Sequence, residues 1–322
     1  MKKHIPGLIT LFIALALFAC DAERLNPLDP QNPDYKLVYI EGSIKTKSLP
    51  QQPVAGVKIF WKGQNIFTQT DQNGNFRIDD LTKIDGTLLV EKEGYSKDSI
   101  FVTWGVQKNI RADFILNAIP VLSQYYLFTT VQNNYPDVQN ISLTAQVNVN
   151  DLDDKIDSVF LRCISLNFSK RLTFNSALNQ YTGTYTSEDL KVAALDVAIG
   201  QKFEIVTIDD SKRSFVVGNS NLMRIIKQEV IAREPLNKIA VSSKPTLKWF
   251  RFLPGFNFKY MVEINTDEFQ HKLVWKKENI SKDSIELVPD IILSPGEYFW
   301  VIWCIDDFGN RSKSKPASFV VE

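Results

Sequence analysis

The sequence predicts an all-β chain divided into three consecutive parts, each of the size of a β-sandwich. Three observations carry this. Beyond residue 20 nearly every apolar run is short, rich in Val, Ile, Phe, Tyr and Thr, and bounded by Gly, Pro, Asn or Asp. No stretch there sustains a helical apolar period: Ser187-Glu-Asp-Leu190 suits a single capped turn, and Leu222 to Ile231 is the one other ambiguous piece. Pro120 follows a strand ending at Leu116 and Pro235 follows Ile-Ala-Arg-Glu, so the cuts fall near 119 and 234. The parts are 37–119, 120–234 and 235–322.

The N-terminus comes first. Lys2 and Lys3 precede an apolar stretch from Ile5 to Ala19, which is too short to cross a bilayer comfortably as a helix. It ends in Leu17-Phe-Ala-Cys20, and the whole resembles a bacterial lipoprotein signal. The resemblance implies that residues 1–19 are a signal peptide, removed before Cys20, and that Cys20 carries lipid. Each buried methylene contributes about 0.8 kcal/mol, so two or more acyl chains hold a protein firmly where one holds it marginally. Asp21 favours inner-membrane retention under the enteric rule, whereas Asp21 and Glu23 together resemble surface-export signals of Bacteroidetes lipoproteins. The expectation leans to the outer membrane of a bacterial cell envelope, with the periplasmic or surface face open. Residues 20–36 carry Pro27, Pro30 and Pro33 at three-residue spacing and no apolar period. They read as an extended tether able to span roughly 50 Å.

In the first part, Val57 and Ile59 alternate inward, Asp71-Gln-Asn-Gly-Asn75 supplies a turn, and Phe76 and Ile78 return the chain to the core. Gly74 takes the positive φ the hairpin needs. With Gly42-Ser-Ile-Lys, Pro53 to Phe60 and Lys92-Glu-Gly-Tyr95, the segment resembles a carboxypeptidase-regulatory-like (transthyretin-like) β-sandwich. That family is an accessory to peptidases and brings no catalytic residues. Asp71, Asn73 and Asn75 alternate as calcium ligands do, but the sixth and twelfth places of such a loop hold Phe76 and Thr82 instead of Gly and Glu. Turn chemistry is the expected use.

The second part offers strands at Tyr125–Thr130, Ile141–Val149, Ile156–Cys163, Gln180–Tyr185 and Lys202–Asp209. Val147 with Val149, Val159 with Leu161, and Phe203 with Ile205 supply opposing core faces. The spacing resembles an immunoglobulin-like sandwich without the cysteine pair of antibody domains. The acidic run Asp151 to Asp157 precedes a strand and reads as a solvated loop.

The third part, with Pro245 to Trp249, Tyr260 to Ile264, Leu293 to Trp300 and Asp306-Asp-Phe-Gly-Asn310, resembles a fibronectin type III-like domain. The resemblance makes Trp249 the early core tryptophan and Tyr298 the corner tyrosine. Trp300, Ile302 and Cys304 then alternate inward, and Cys163 and Cys304 are expected as buried, reduced thiols. On the opposite face, Phe299, Val301, Trp303 and Ile305 are apolar where a solvent-facing strand carries polar groups. The cover expected for them is the neighbouring domain or a loop, then another protein, then a sugar ring. Trp61, Trp104 and Trp275 are the other aromatics with room to reach solvent, but they lie in separate segments and nothing in the sequence brings them together.

Function classes narrow accordingly. Lys plus Arg equals Asp plus Glu at 37 each, which removes the electrostatic basis for nucleic-acid binding. Beyond the signal, His271 is the only histidine, with no Gly-x-Ser-x-Gly elbow and no zinc-ligand spacing around it; it reads as a surface residue. No catalytic residue, metal or cofactor is expected. The sequence reads as a lipid-anchored envelope scaffold or binding protein that touches the membrane through its lipid and presents its modules to an envelope protein or a glycan. The alternative is a carbohydrate-binding surface lipoprotein of a polysaccharide-uptake system.

Overall fold

The computed structural model describes residues 38–153 and 155–322. Cys20 and the 20–36 tether lie outside the described residues. Among those described, regular structure is strand throughout except for a 3-10 turn at Leu195–Ala198. The chain forms two compact units, one ending at Ala118 and the other running from Ile119 to Glu322.

The first unit holds eight strands: β1 (Val38–Thr46), β2 (Lys58–Trp61), β3 (Ile66–Gln69), β4 (Asn75–Leu81), β5 (Gly86–Glu91), β6 (Asp98–Val102), β7 (Asn109–Arg111) and β8 (Phe114–Leu116). One sheet runs β4-β1-β7 with β8 also on β1, and the other runs β3-β2-β5-β6. Alternation points Ile40 and Ile44 from the first sheet at Ile59, Trp61, Leu88 and Val90 from the second. Trp61 and Trp104 meet edge to face at 6.4 Å in this core. Both are buried, so neither is available to solvent: Trp61 shares the inward parity of Ile59, and Trp104 donates its indole N–H to the Ile84 carbonyl at 2.9 Å.

The turn at 71–75 is closed from within. The Asp71 carboxylate accepts backbone N–H bonds from Asn73 at 2.9 Å and Asn75 at 2.8 Å, so it caps the hairpin. Gly74 sits at φ +73°, and a Cβ there would lie 2.5 Å from the Ile44 carbonyl oxygen.

The second unit adds β9 (Val121–Asn134), β10 (Val138–Asn150), β11 (Ile156–Cys163), β12 (Phe168–Arg171), β13 (Thr173–Asn175), β14 (Gln180–Tyr185), β15 (Lys202–Asp209) and β16 (Ser214–Asn221). It continues with β17 (Ala232–Glu234), β18 (Ile239–Val241), β19 (Leu247–Trp249), β20 (Phe258–Thr266), β21 (Leu273–Ser281), β22 (Glu286–Leu287), β23 (Gly296–Asp306), β24 (Arg311–Lys313) and β25 (Ala317–Val321). This unit has two cores. Val147, Val159, Leu161, Phe203 and Ile205 fill one, between β10 and the β12-β11-β15-β16 sheet. The other holds Trp249, Tyr260, Trp300, Ile302, Cys304 and Phe319. The Tyr298 hydroxyl donates to the Ser294 carbonyl at 2.9 Å, a bond that pins the corner entering β23. Cys163 and Cys304 are buried free thiols, and burial pushes the Cys304 thiol up to about 12. Trp275 is buried as well, its indole N–H bonded to the Asp290 carboxylate, so it too is withdrawn from solvent.

The cut near 234 falls inside this unit, because one sheet spans both cores. Its order is β13-β14-β10-β9-β24-β23-β20-β21, with β25 on β23 and β18 on β25.

Replacing Gly74 by Ala should lower stability by about 1–3 kcal/mol from backbone strain alone. Replacing the exposed neighbour Gln72 by Ala should stay within about 0.5 kcal/mol. Denaturant unfolding of the two variants measures the difference.

Candidate functional site

Two surfaces of the second unit bear on function: the outer face of β23, singled out by the sequence, and the loop end of the same sandwich. The β23 face has cover from the chain itself. Val301 is 3 % exposed, and Phe299, Trp303 and Ile305 are half-buried. The Trp303 indole donates to the Glu263 carboxylate at 3.0 Å. Arg311 lies between rings, 5.7 Å from Trp303 and 4.6 Å from Phe128 of β9, while Lys313 stands 5.8 Å from Trp303. Burial lowers the Arg311 pKa from its ordinary value, and its Nε donates to Thr130 at 3.1 Å. His271 is exposed, with its ring edge on Phe299 at 4.8 Å and Nδ1 3.1 Å from the Thr266 carbonyl.

The same hairpin fixes the junction between the two cores. β24 pairs parallel to β9, with Arg311 opposite Thr130 and Lys313 opposite Gln132. Asn310, fully buried at the start of β24, accepts from the Thr129 backbone N–H at 2.9 Å and its hydroxyl at 3.2 Å. Its amide donates to Asp306 at 3.0 Å. Asp306 in turn accepts from the backbone N–H groups of Phe308 and Asn310 at 2.9 Å each and pairs with Arg224 at 3.2 Å. A buried carboxylate needs such a shell, since unpaired burial of a charge is unfavourable. The segment Leu222 to Ile231, ambiguous in sequence, runs as a strap along this seam. Leu222 enters the first core, Ile226 and Val230 the second, and Gln228 and Lys227 carbonyls accept from Ser312 and Gln139.

The loop end is built on that hairpin. Asn257, closing the β19–β20 loop, donates to both Asp307 oxygens at 3.1 Å and accepts from Lys282 at 3.3 Å. Arg251 and Asp283 face each other at 4.0 Å. Three loops are thus tied by one asparagine and its neighbours. Beneath, Phe252 and Phe256 pack edge to face on Phe258, which packs on Tyr260. The loop therefore has a rooted base, and Gly255 at φ +83° lets its tip turn back. Its tip is apolar and open, with Leu253 81 % exposed, and Phe308 on the adjoining β23–β24 turn is 48 % exposed. A concavity of about 470 Å³ lies among Arg251, Phe252, Leu253, Pro254, Lys282 and Asp283. Apolar tips ringed by charge suit partner recognition, with the rooted aromatics limiting the entropy lost on binding. The sequence reading missed this surface. Its signal was the run Trp249-Phe-Arg-Phe-Leu-Pro-Gly-Phe256, too apolar for a solvated loop and broken by Pro-Gly so that it cannot be strand.

Among the described residues no cluster of three His, Cys, Asp or Glu is placed to hold a metal ion, and no helix is long and apolar enough to cross a membrane.

Comparison with known proteins is consistent with this architecture. Residues 40–123 match the family model of the CarboxypepD_reg-like domain, the resemblance read for the first part. Solved structures similar to the chain include the FN1–FN3 domains of chicken CNTN1, at 9 % identity and TM-score 0.32, covering 84 % of this chain and 92 % of that one. The fibronectin(III)-like modules of Clostridium thermocellum CbhA are similar at 12 % identity and TM-score 0.31, covering 63 % of this chain and 93 % of theirs. BcpA, the major pilin subunit of Bacillus cereus, is similar at 12 % identity and TM-score 0.26, covering 89 % of this chain and 98 % of that one. No curated protein matches the chain at a significant level. The fold assignment rests on the strand pairing described above.

Asn310→Ala leaves the Thr129 N–H and the Asp306 carboxylate without their buried partner. It should destabilise the second unit by about 1–3 kcal/mol and speed hydrogen exchange in β9 and β24 while β11 and β15 stay protected. Exchange mass spectrometry reads both.

Proposed function

We propose that this protein is a non-catalytic, lipid-anchored display protein of the bacterial cell envelope, held by Cys20 and presenting the loop end of its C-terminal sandwich to a protein partner. The observation that carries the reading is the loop cluster: exposed apolar residues at Leu253 and Phe308, on loops cross-tied through Asn257 and rooted on core aromatics. A disordered loop with the same residues would lose more entropy on binding; this one is already set. The fused sandwiches behind it favour a presenting role, because a tip on a continuous sheet keeps its orientation relative to the rest of the unit. The anchor is supported by the sequence alone, through Lys2, Lys3, the apolar stretch and Leu17-Phe-Ala-Cys20.

Two measurements test it in intact cells. Alkyne-palmitate labelling should mark the full chain, and Cys20→Ser should abolish the label and release the protein from the membrane fraction; a chain that partitions identically with and without Cys20 overturns the anchor. A photo-crosslinking residue at position 253 should give a discrete adduct, whereas the same residue at the exposed position 106 should not. Equal adducts at both positions, or none at 253, overturn the docking surface.

A further inference from the structure

A different surface, in the other unit, has an aromatic pair with no structural role. The outer face of the β3-β2-β5-β6 sheet is set by register: Phe67 opposite Phe60, Phe60 opposite Leu89, and Thr87 opposite Phe101. The inner partners on these strands, Ile59, Trp61, Leu88 and Val90, already complete the core. Phe60 and Phe67 nevertheless stack at 4.3 Å with 15° between their planes, and Phe67 is 73 % exposed. Phe101, on the same face, is 70 % exposed. Exposed apolar groups gathered this way on a sheet face mark a binding surface.

The rows beside the rings are polar and basic. One row carries Gln69, Lys58 and Glu91 in register, with Glu91 held by Lys97 at 2.8 Å, a hydrogen bond that lowers its pKa. On the other side Lys62 continues the alternation of β2, its backbone N–H bonded to the Thr87 carbonyl at 3.0 Å. Lys58 stands opposite Glu91 and its charge helps to lower the Glu91 pKa, whereas no ion pair holds Lys62 among the described residues. A concavity of about 550 Å³ opens between Phe60, Phe67, Leu89, Lys58, Gln69 and Glu91.

We propose that this face binds an acidic glycan, with the C–H face of a uronic-acid pyranose on Phe67 and its carboxylate on Lys58 or Lys62. The chemistry selects this ligand over an acidic peptide. A pyranose has a flat apolar face that matches one exposed ring, and loses water from it on stacking. Its hydroxyls both donate and accept, as a mixed row of Gln69, Lys58 and ionised Glu91 requires. An acidic peptide of the same charge offers no flat apolar face to stack on Phe67. The lysines supply charge-assisted bonds to the one carboxylate per residue and make the binding salt-dependent. The proposal goes beyond the display reading and uses a separate unit, so the two stand or fall apart.

The probe is tetragalacturonate, titrated calorimetrically into the full chain with maltotetraose and tetraglutamate as comparisons. Tetragalacturonate should bind, more weakly at high salt, and the two comparisons should not. Phe67→Ala should weaken binding by about tenfold, equivalent to 1.4 kcal/mol, Phe67→Tyr should preserve it, and the double change Lys58→Glu with Lys62→Glu should remove it. Unchanged melting temperatures confirm that these exposed substitutions leave the fold intact. No binding of tetragalacturonate overturns the proposal. So does maltotetraose binding that ignores the lysine changes, which marks a neutral-sugar site, or tetraglutamate binding that ignores Phe67→Ala, which marks an acidic-peptide site.

Discussion

The parallel pairing of β24 with β9 is the constraint on which the second unit depends. Each strand would otherwise be an open edge, β24 of the C-terminal sandwich and β9 of the one before it, and open edges pair with whatever backbone they meet. Joined, they cover one another and make one sheet that serves two cores. Hydrogen bonds set the register more than apolar contact does. Thr129, Asn133, Asn310, Ser312 and Ser314 are all buried along the seam, and buried polar groups tolerate only the arrangement that satisfies them. A slip of one residue would take the Thr129 N–H and hydroxyl away from the Asn310 amide oxygen.

The same hairpin that makes this seam also sets the loop end. Asp306 closes the turn before β24, Asp307 reaches Asn257, and Asn257 holds Lys282. Position is therefore transmitted by adjacent residues: what fixes the two sandwiches against each other fixes the tips of three loops. Arg224 takes part at both levels, pairing with Asp306 while lying over Phe256 at 4.4 Å.

The strands themselves were legible where a single rule governs them. β11, β14 and β15 occupy the residues that alternation and turn signals assign, and Val159, Leu161, Phe203 and Ile205 point inward as parity demands. Trp61 was legible by the same rule, because it shares the inward parity of Ile59. The seam was not legible. Thr130 and Arg311 are 181 residues apart, and Thr, Asn and Ser read locally as solvent-facing until a second strand is known to cover them. Five consecutive buried positions, Leu127 to Val131, defeat an alternation rule because both faces of β9 are covered there. The loop tip and the Phe60–Phe67 pair escaped for the reverse reason: large apolar side chains read as core by default, and only coordinates show that they project outward.

The two outer faces of this chain argue against each other usefully. On β23 an outer tryptophan has been provided for: its N–H is bonded to Glu263, Arg311 and Lys313 stand by its ring, and its strand neighbour Val301 is closed off from water. That is how this sequence treats an outward aromatic that belongs to the fold, at the expense of burying a guanidinium. On β3 none of this provision exists among the described residues. Phe67 stacks on its cross-strand neighbour Phe60, no ion pair holds Lys62, and the core behind is already filled. The cross-strand pair adds only about 0.2–1 kcal/mol to the sheet, and the outer face of Phe67 stays unfavourably exposed to water. A ligand with a flat apolar face would take that surface out of water, which neither the core nor the pairing of β3 does.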